Sequence, residues 1–232
     1  MKKLKIFGAA MIGLFLLGSC ELNELDNYDG PNATISGGVY DVDTGELLQQ
    51  DIINGMQIEY VEHGFENPQT QRMIVKNDGT YRNNLMFAGS YTIQAVRGNF
   101  VPVEPEEITV EGNTVKNFEV QPYIRIRNAV IEKQDNKIVA TFNLSQTVTN
   151  QVSRIGLFAH EEPNVGEPLN QFAAVINFNA VSNDVTQYRI EINLDANSGV
   201  LQSGKQFYFR VGALIDAPEA KYNYAPAVRI GI

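Results

Sequence analysis

At residues 188–194 the chain reads YRIEINL, and every second residue from Tyr188 to Leu194 is apolar. The same alternation recurs over residues 138–144 and 207–213. A period of two residues places alternate side chains on opposite faces, as in a half-buried strand of an antiparallel sheet. The sequence has no long stretch with the 3.6-residue period of an amphipathic helix, and we therefore predict an all-β fold.

Residues that favour tight turns separate these alternating stretches. They include Asp43-Thr44-Gly45, Asn77-Asp78-Gly79, Glu111-Gly112-Asn113, Asp135-Asn136 and Ser203-Gly204. Many short strands joined by turns at regular intervals are typical of β-sandwiches. We expect Asp78-Gly79 to close a tight hairpin, because glycine adopts the positive φ that such turns require.

The distribution of charge divides the chain in two. The 232 residues include 18 Lys+Arg and 27 Asp+Glu, for a net charge of −9. Residues 20–121 hold 5 of the basic and 17 of the acidic residues, whereas residues 122–232 hold 10 of each. This change indicates two domains with different surfaces, at residues 31–121 and 122–232. The neutral half has no clustered basic run, which argues against nucleic acid as a partner.

The first residues are typical of an export signal. A basic start, Met1–Lys5, precedes an apolar run from Ile6 to Leu17 that is too short to span a bilayer as a mature helix. The run ends in Leu17-Gly18-Ser19-Cys20, which resembles a bacterial lipobox and contains the one cysteine of the chain. We predict a signal peptide at residues 1–19 and a membrane anchor through lipidated Cys20. A buried core cysteine is the alternative.

The segment that follows, residues 20–30, contains four acidic residues and no basic one. This composition is that of a solvated tether. It also resembles the acidic leaders that direct Bacteroidetes lipoproteins to the cell surface. We therefore expect the protein in the outer membrane, lipid-anchored and facing the cell exterior.

Three motifs in the first half occur in a familiar order. They are the D-x-x-T-G turn at Asp41–Gly45, the turn at Asn77–Tyr81 and the strand that follows Gly89. In this order they resemble the carboxypeptidase-regulatory-like domain, a transthyretin-like β-sandwich. The proline that this family usually has after the first turn is absent here, where Leu47 follows Glu46.

The second half has one local match, LQSGKQFYFRV at residues 201–211. It resembles the fibronectin turn into the penultimate strand, which implies an immunoglobulin or fibronectin type III-like sandwich at residues 122–232. That family has a hydrogen-bonded corner tyrosine six residues after the leucine. Here the position is Phe207.

Taken whole, the chain resembles a Bacteroidetes lipoprotein family of unknown function. The resemblance rests on the lipobox, the regulatory-like domain and the terminal sandwich in that order. Such lipoproteins are often encoded beside starch-utilisation-type outer-membrane importers, which implies a glycan-uptake context and importer proteins as partners. The resemblance brings no catalytic residues.

Catalytic and metal-binding chemistry has little support in the sequence. The chain has two histidines, His63 and His160, and a zinc site needs at least three converging ligands. His160-Glu161-Glu162 precedes Pro163 and fits a polar strand end that enters a loop. Nucleophile elbows and phosphate-binding loops are absent from the sequence. We predict no catalytic residue, no metal and no cofactor, and a protein that is not an enzyme.

The turn at residues 41–46 raises the question of calcium. Asp41, Asp43, Thr44 and Glu46 place several oxygens together, and calcium binds six to eight oxygen ligands. Aspartate also forms Asx turns, and turn chemistry is the favoured interpretation. The sequence leaves calcium binding by the first domain open.

Two predicted loops carry aromatic side chains suited to sugar binding. Tyr222, Asn223 and Tyr224 lie between the last two predicted strands, and loops at one end of a sandwich commonly carry binding sites. Phe65 lies in a second such loop. The alternative is that Tyr222 or Tyr224 packs under its loop.

Two functions fit this sequence. The first is a non-catalytic surface lipoprotein that assists glycan capture or presentation to an importer. The second is an adhesin or pilus-type subunit that assembles by strand exchange, with residues 227–232 as the candidate strand. The absence of tryptophan is the main argument against the first.

Overall fold

The structure of the protein, a computed structural model, describes residues 29–232. The predicted signal peptide, Cys20 and residues 21–28 of the tether lie outside the described residues and stay predictions. From residue 29 onward the chain forms strands and turns without a helix, so the all-β prediction is confirmed. This described part accordingly contains no helix that is long and apolar enough to cross a membrane.

Eight strands form the first sandwich. They are β1 (Ala33–Asp41), β2 (Gln57–Glu62), β3 (Thr70–Ile74), β4 (Thr80–Met86), β5 (Gly89–Val96), β6 (Glu106–Val110), β7 (Asn113–Val115) and β8 (Phe118–Val120). One sheet is built on β1, which pairs antiparallel with β4 and parallel with β7 and then β8. The other sheet has the antiparallel order β3-β2-β5-β6. Their inner faces enclose one apolar core that includes Ile35, Tyr81 and Ile93.

The second sandwich contains the remaining eight strands. They are β9 (Ile124–Gln134), β10 (Lys137–Gln146), β11 (Val152–His160), β12 (Phe172–Ala180), β13 (Gln187–Asn193), β14 (Gln206–Ile215), β15 (Asn223–Tyr224) and β16 (Val228–Gly231). One sheet has the order β13-β10-β9, and the other has the order β12-β11-β14, with β15 and β16 both paired to β14. Phe142, Leu157 and Phe207 lie in the core between them.

The three alternating stretches are strands of this second sandwich, β13, β10 and β14. Between β10 and β13, Ile138 lies opposite Ile192 and Ala140 opposite Ile190, so the apolar side chains share the inner face. Strand β14 is unusual because Arg210, on its outer face, is also buried. Buried residues on both faces of one strand indicate that another part of the chain covers this sheet.

The Asp78-Gly79 turn joins the two sheets of the first sandwich. It is tight as predicted, with Gly79 at a φ of 87° and the Thr80 N–H donating to the Asp78 carboxylate over 2.9 Å. However, β3 and β4 belong to different sheets, so the hairpin prediction is wrong. Glycine is required here for a second reason, since a Cβ at residue 79 would lie 2.7 Å from the Leu48 carbonyl oxygen.

The two sandwiches contact each other directly. Residues Pro31–Ile232 form one compact unit, and the isolated bridge between Phe100 and Pro122 joins the halves at the point where the chain crosses over. The segment predicted for strand exchange contains β16, which pairs antiparallel with β14 of the same chain. Buried polar and charged side chains, including Asp51, Asn99 and Arg210, lie at the contact between the sandwiches.

Candidate functional site

Arg210 holds the two sandwiches together. Its side chain is 1% exposed, and all five of its N–H donors are bonded. In the first sandwich they reach the Gln50 and Asn77 carbonyls and the Gln49 side chain, at 2.9 to 3.1 Å. In the second they reach the Val165 and Ala225 carbonyls, at 3.2 and 3.0 Å. One buried guanidinium therefore links segments that are far apart in the sequence.

Asp51 is the buried acid beside Arg210. Burial raises the pKa of its carboxyl to about 6, against the opposing effects of the Tyr224 hydroxyl and the Arg210 charge. Desolvation likewise lowers the pKa of Arg210 to about 10. The carboxylate lies against Gly166, where a Cβ would be 2.1 Å from Asp51 Oδ1. Glycine at this position is what lets the loop close over the acid.

Tyr222, Asn223 and Tyr224 complete this buried group, and they are 3%, 2% and 6% exposed. The Tyr224 ring stacks under the Arg210 guanidinium, whose Cζ is 4.3 Å from the ring centroid. The Tyr224 hydroxyl accepts the Glu167 N–H over 2.8 Å. We call Asp51, Arg210, Tyr222, Asn223 and Tyr224 the junction seal.

The structure places Tyr222, Asn223 and Tyr224 in buried positions rather than in an exposed loop, which agrees with the alternative that the tyrosines pack under it; ligand binding by these residues stays a prediction. Asn223 and Tyr224 form strand β15, which pairs with Ala213 and Gly212 of β14 rather than standing free. Both tyrosine rings pack on Phe158, with centroids 5.4 and 6.0 Å away. Neither ring therefore stands exposed at the surface of the sandwich.

A pair of asparagines extends the junction seal toward the chain crossover. The Asn99 side chain donates to the Gln49 carbonyl at 2.9 Å and to the Tyr222 carbonyl at 3.0 Å. In return, the Asn223 side chain donates to the Asn99 carbonyl at 2.9 Å. Buried amides bonded to backbone on both sides fix the relative position of the sandwiches, because each lost bond leaves a buried group unpaired.

An ion pair closes the other margin of the contact. Arg125 bonds both carboxylate oxygens of Asp41, at 2.5 and 2.7 Å, and also reaches Asp43 at 2.7 Å. The Asp43 N–H donates to the Asp41 carboxylate, which confirms the predicted Asx turn. Burial would raise the pKa of Asp41, but these hydrogen bonds outweigh it and hold the pKa below the ordinary value. The carboxylates of Asp41 and Asp43, which were considered as calcium ligands, therefore bond to Arg125.

A cleft of about 600 Å³ opens at the junction, between the outer face of the β3-β2-β5-β6 sheet and the second sandwich. Phe100, Pro102 and Pro218 supply part of its apolar wall. We call it the junction cleft; its polar lining consists of Glu59, Arg72, Gln94, Arg97, Tyr123 and Glu219. Its volume lies within the usual range of small-molecule sites, which are often found at domain interfaces.

The polar side chains of the cleft are arranged in a row across three strands. Arg72, Glu59 and Gln94 lie opposite one another on β3, β2 and β5. Arg72 Nη2 is 2.8 Å from Glu59 Oε1, and Gln94 donates to the Val103 carbonyl over 2.7 Å. The sheet therefore presents both hydrogen-bond donors and acceptors to the cleft, at positions fixed by the strand register.

Two residues of the cleft have a strained backbone. Arg97 and Glu219 both have a φ of 55°, in the left-handed region that non-glycine residues rarely adopt. Such strain concentrates at ligand-binding and catalytic sites. Arg97 is exposed, and its side chain makes no hydrogen bond or ion pair to any residue between 29 and 232. The opening of the cleft thus carries two opposite charges, each on a residue with a strained backbone.

The remaining predicted residue, Phe65, lies far from the cleft. It follows β2, whose last residue Glu62 pairs with Tyr91, whereas Gln57 at the other end of β2 pairs with Val96 beside Arg97. Phe65 is 63% exposed and stands at the opposite end of the sheet. The structure therefore does not bring it together with the other predicted ligand-binding residues.

The histidines have structural partners. His160 is the last residue of β11, and its Nδ1 accepts the Glu162 N–H over 2.8 Å, so the predicted polar strand end is confirmed. His63 lies 2.8 Å from the Thr92 hydroxyl. Between residues 29 and 232 no three His, Cys, Asp or Glu side chains are grouped to hold a metal ion. The polar side chains that line the cleft can donate and accept hydrogen bonds.

Two family models match the chain. The N-terminal domain model of a protein of unknown function, DUF3823, matches residues 33–121. The domain of unknown function DUF3823_C matches residues 124–229. None of the curated proteins compared matches the chain.

Solved structures share the whole fold. A "putative carbohydrate binding protein" from Bacteroides uniformis is 36% identical, with a TM-score of 0.81, over 88% of this chain and 100% of its own. A DUF3823 family protein from Parabacteroides merdae is 23% identical, with a TM-score of 0.75, over 87% and 100%. A DUF3823 family protein from Bacteroides uniformis is 20% identical, with a TM-score of 0.74, over 87% of this chain and 100% of its own. None of these three is named as an enzyme.

Proposed function

This chain belongs to the DUF3823 family, and we propose that it is a non-catalytic surface lipoprotein that binds a saccharide in the junction cleft. The observation that carries the proposal is the cleft itself, with unpaired Arg97 and strained Glu219 at its opening. The name of the 36% identical relative from Bacteroides uniformis supports the ligand class.

A saccharide fits the chemistry of this lining. Sugar hydroxyls both donate and accept hydrogen bonds, and the cleft offers donors from Arg72 and Arg97 and acceptors from Glu59 and Glu219. The Tyr123 hydroxyl adds a group that serves either way. Tyr123 and Phe100 are 8% and 2% exposed, so their rings contribute little stacking surface. Affinity would come mainly from hydrogen bonds to charged groups.

The cellular context is part of the proposal. Lipidated Cys20 would anchor the chain to the outer membrane, and the acidic tether of residues 20–30 would hold the sandwiches away from it. A neighbouring importer would then receive the captured glycan. Mass spectrometry of the protein purified from its native membrane tests the anchor, since a diacylglyceryl group on Cys20 is expected and an unmodified thiol would contradict it.

A glycan panel with residues 21–232 tests the binding proposal, because this segment contains the whole compact unit. We expect at least one oligosaccharide to bind. The double variant Arg97→Ala/Glu219→Ala should lose roughly tenfold or more in affinity, since hydrogen bonds to charged groups contribute about 1.5–3 kcal/mol each.

The matched control removes an arginine and a glutamate elsewhere. Arg82 and Glu66 are exposed and lie outside the cleft, so Arg82→Ala/Glu66→Ala should bind like the parent protein. The proposal fails if no glycan binds, or if both double variants bind the same glycan with the parent's affinity.

A further inference from the structure

Strand β12 is an edge strand of the second sandwich. It pairs with β11 on one side, and on its other side it pairs with no strand between residues 29 and 232. An unpaired edge exposes backbone N–H and C=O groups that can pair with another chain. Proteins usually guard such edges with charges, proline, short length or bulges.

The other edge strands of the described chain carry these guards. β3, β4, β6, β8, β9, β13 and β16 each contain at least one charged residue, whereas β7 and β15 are three and two residues long. β12 has nine residues, FAAVINFNA, with neither a charge nor a proline. It is the one long uncharged edge between residues 29 and 232.

The apolar side chains of this edge are exposed. Val175 is 45% exposed on the outer face, and Ile176 is 43% exposed on the inner face. Val181 and Val185 follow in the next loop at 58% and 85%. A bulge with Asn179 at a φ of 48° interrupts the far end of the strand, but residues 172–177 pair regularly with β11.

Charge identifies the partner that fits this edge. In a symmetric pairing of two copies, residues near the two-fold axis meet their own counterparts, so a charge there would repel itself. No ionisable side chain occurs between Glu167 and Asp184. The acidic surplus of the chain lies in residues 20–121, and the second sandwich, being neutral, is where two copies approach with least repulsion.

We propose that two copies of this chain pair through β12, antiparallel about a two-fold axis, and so join two five-stranded sheets into one. The pairing is isologous, because each copy offers the same edge to the other. It buries Val175 and Ile176 of both chains and satisfies the free backbone groups of both strands. This interaction does not depend on the saccharide site, which lies at the junction.

Sedimentation velocity of residues 21–232 over a range of concentrations tests the pairing. We expect a reversible monomer–dimer equilibrium in the parent protein. Val175→Lys places like charges close together at the edge and should weaken the dimer at least tenfold. Leu85→Lys, at a 73% exposed position in the first sandwich, should associate like the parent. Unfolding curves confirm that both variants are folded.

Hydrogen exchange locates the contact. The amides of residues 172–177 should exchange more slowly at dimer-forming concentrations than at dilution, and Val175→Lys should abolish this difference. A parent protein that stays monomeric throughout would overturn the proposal. So would a dimer that Val175→Lys leaves intact, or an open-ended polymer.

Discussion

Two arginines at the same junction have opposite surroundings. Arg210 is 1% exposed and uses all five of its N–H donors within the protein. Arg97 is exposed, and its side chain uses none of its donors on residues 29–232. A satisfied arginine thus fastens two domains, whereas an unsatisfied one beside a cleft remains available to a ligand.

Their backbones differ as well. Arg210 lies within the regular strand β14, whereas Arg97 has a positive φ of 55° just after β5. The left-handed conformation costs a non-glycine residue about 1–2 kcal/mol. The fold therefore uses one arginine to satisfy five buried acceptors and tolerates strain at the other.

Removing the satisfied arginine should have the largest effect. Arg210→Met leaves five hydrogen-bond acceptors without their donor and removes the positive charge near the Asp51 carboxylate, so the free energy of unfolding should fall by about 3–5 kcal/mol. Arg97→Met makes the same chemical change at the exposed position and should alter the free energy of unfolding by less than about 0.5 kcal/mol. Urea denaturation of both variants measures the difference. Similar losses of unfolding free energy in the two variants would contradict the difference proposed between Arg210 and Arg97.

The buried acid of the junction seal should make stability depend on pH. The pKa of Asp51 is raised from 3.8 to about 6, chiefly by burial, so between these values the folded chain binds a proton that the unfolded chain has lost. The free energy of unfolding should therefore fall as pH rises from 4 to 6, by up to about 3 kcal/mol from this group.

Asp51→Asn should remove that slope, as measured by denaturation at a series of pH values. Asp78 provides a control of opposite sign: burial would raise its pKa, but hydrogen bonds from Thr80 outweigh this and lower it. The stability that the Asp78 carboxylate contributes is present above pH 4 and is lost at more acidic pH. Asp78→Asn should therefore leave the pH dependence of the unfolding free energy between pH 4 and 6 intact. A slope that survives Asp51→Asn would refute the assignment.

The two tyrosines of the junction seal should respond differently to loss of the hydroxyl. Tyr224→Phe leaves the Glu167 N–H without its acceptor and should cost about 1–2 kcal/mol of unfolding free energy. The Tyr222 hydroxyl is buried without a hydrogen-bond partner on the described residues, so Tyr222→Phe should be neutral or stabilising. Thermal or urea unfolding distinguishes them, and a larger loss for Tyr222→Phe would run against the prediction.

The smallest effect concerns the strain at Arg97. Arg97→Gly relieves the left-handed conformation and should raise the free energy of unfolding by up to about 1 kcal/mol while weakening glycan binding. Arg97→Ala keeps the strain and loses the same charge. If the alanine variant proves as stable as the glycine variant, the strain is not stored at this residue.

The sequence predicted the strands well because their pattern is local. Alternation at residues 188–194 and turn residues such as Asp78-Gly79 depend on near neighbours, and both appear in the structure. The sequence did not reveal that this turn crosses between sheets, because strand pairing depends on residues far along the chain. Leu48, whose backbone leaves room only for glycine at residue 79, lies thirty-one positions earlier.

The site was harder to predict for the same reason. Tyr222 and Tyr224 looked like exposed loop residues because the side chains that bury them come from β11 and β14. In Arg97-Gly98-Asn99 the glycine would be the expected residue for a positive φ, yet the arginine adopts it. Gly98 is needed for a different reason: a Cβ at residue 98 would lie 1.9 Å from the Phe100 ring. No local pattern signals either arrangement.

Saccharide binding in the junction cleft is tested most directly by titrating isotope-labelled residues 21–232 with the best-binding oligosaccharide and following the amides by two-dimensional NMR. We expect the largest shifts on the cleft, at Gln94, Arg97, Gly98, Tyr123 and Glu219, while the amides of the junction seal change little. Shifts concentrated on the Phe65 loop, or on any surface away from the cleft, would contradict it.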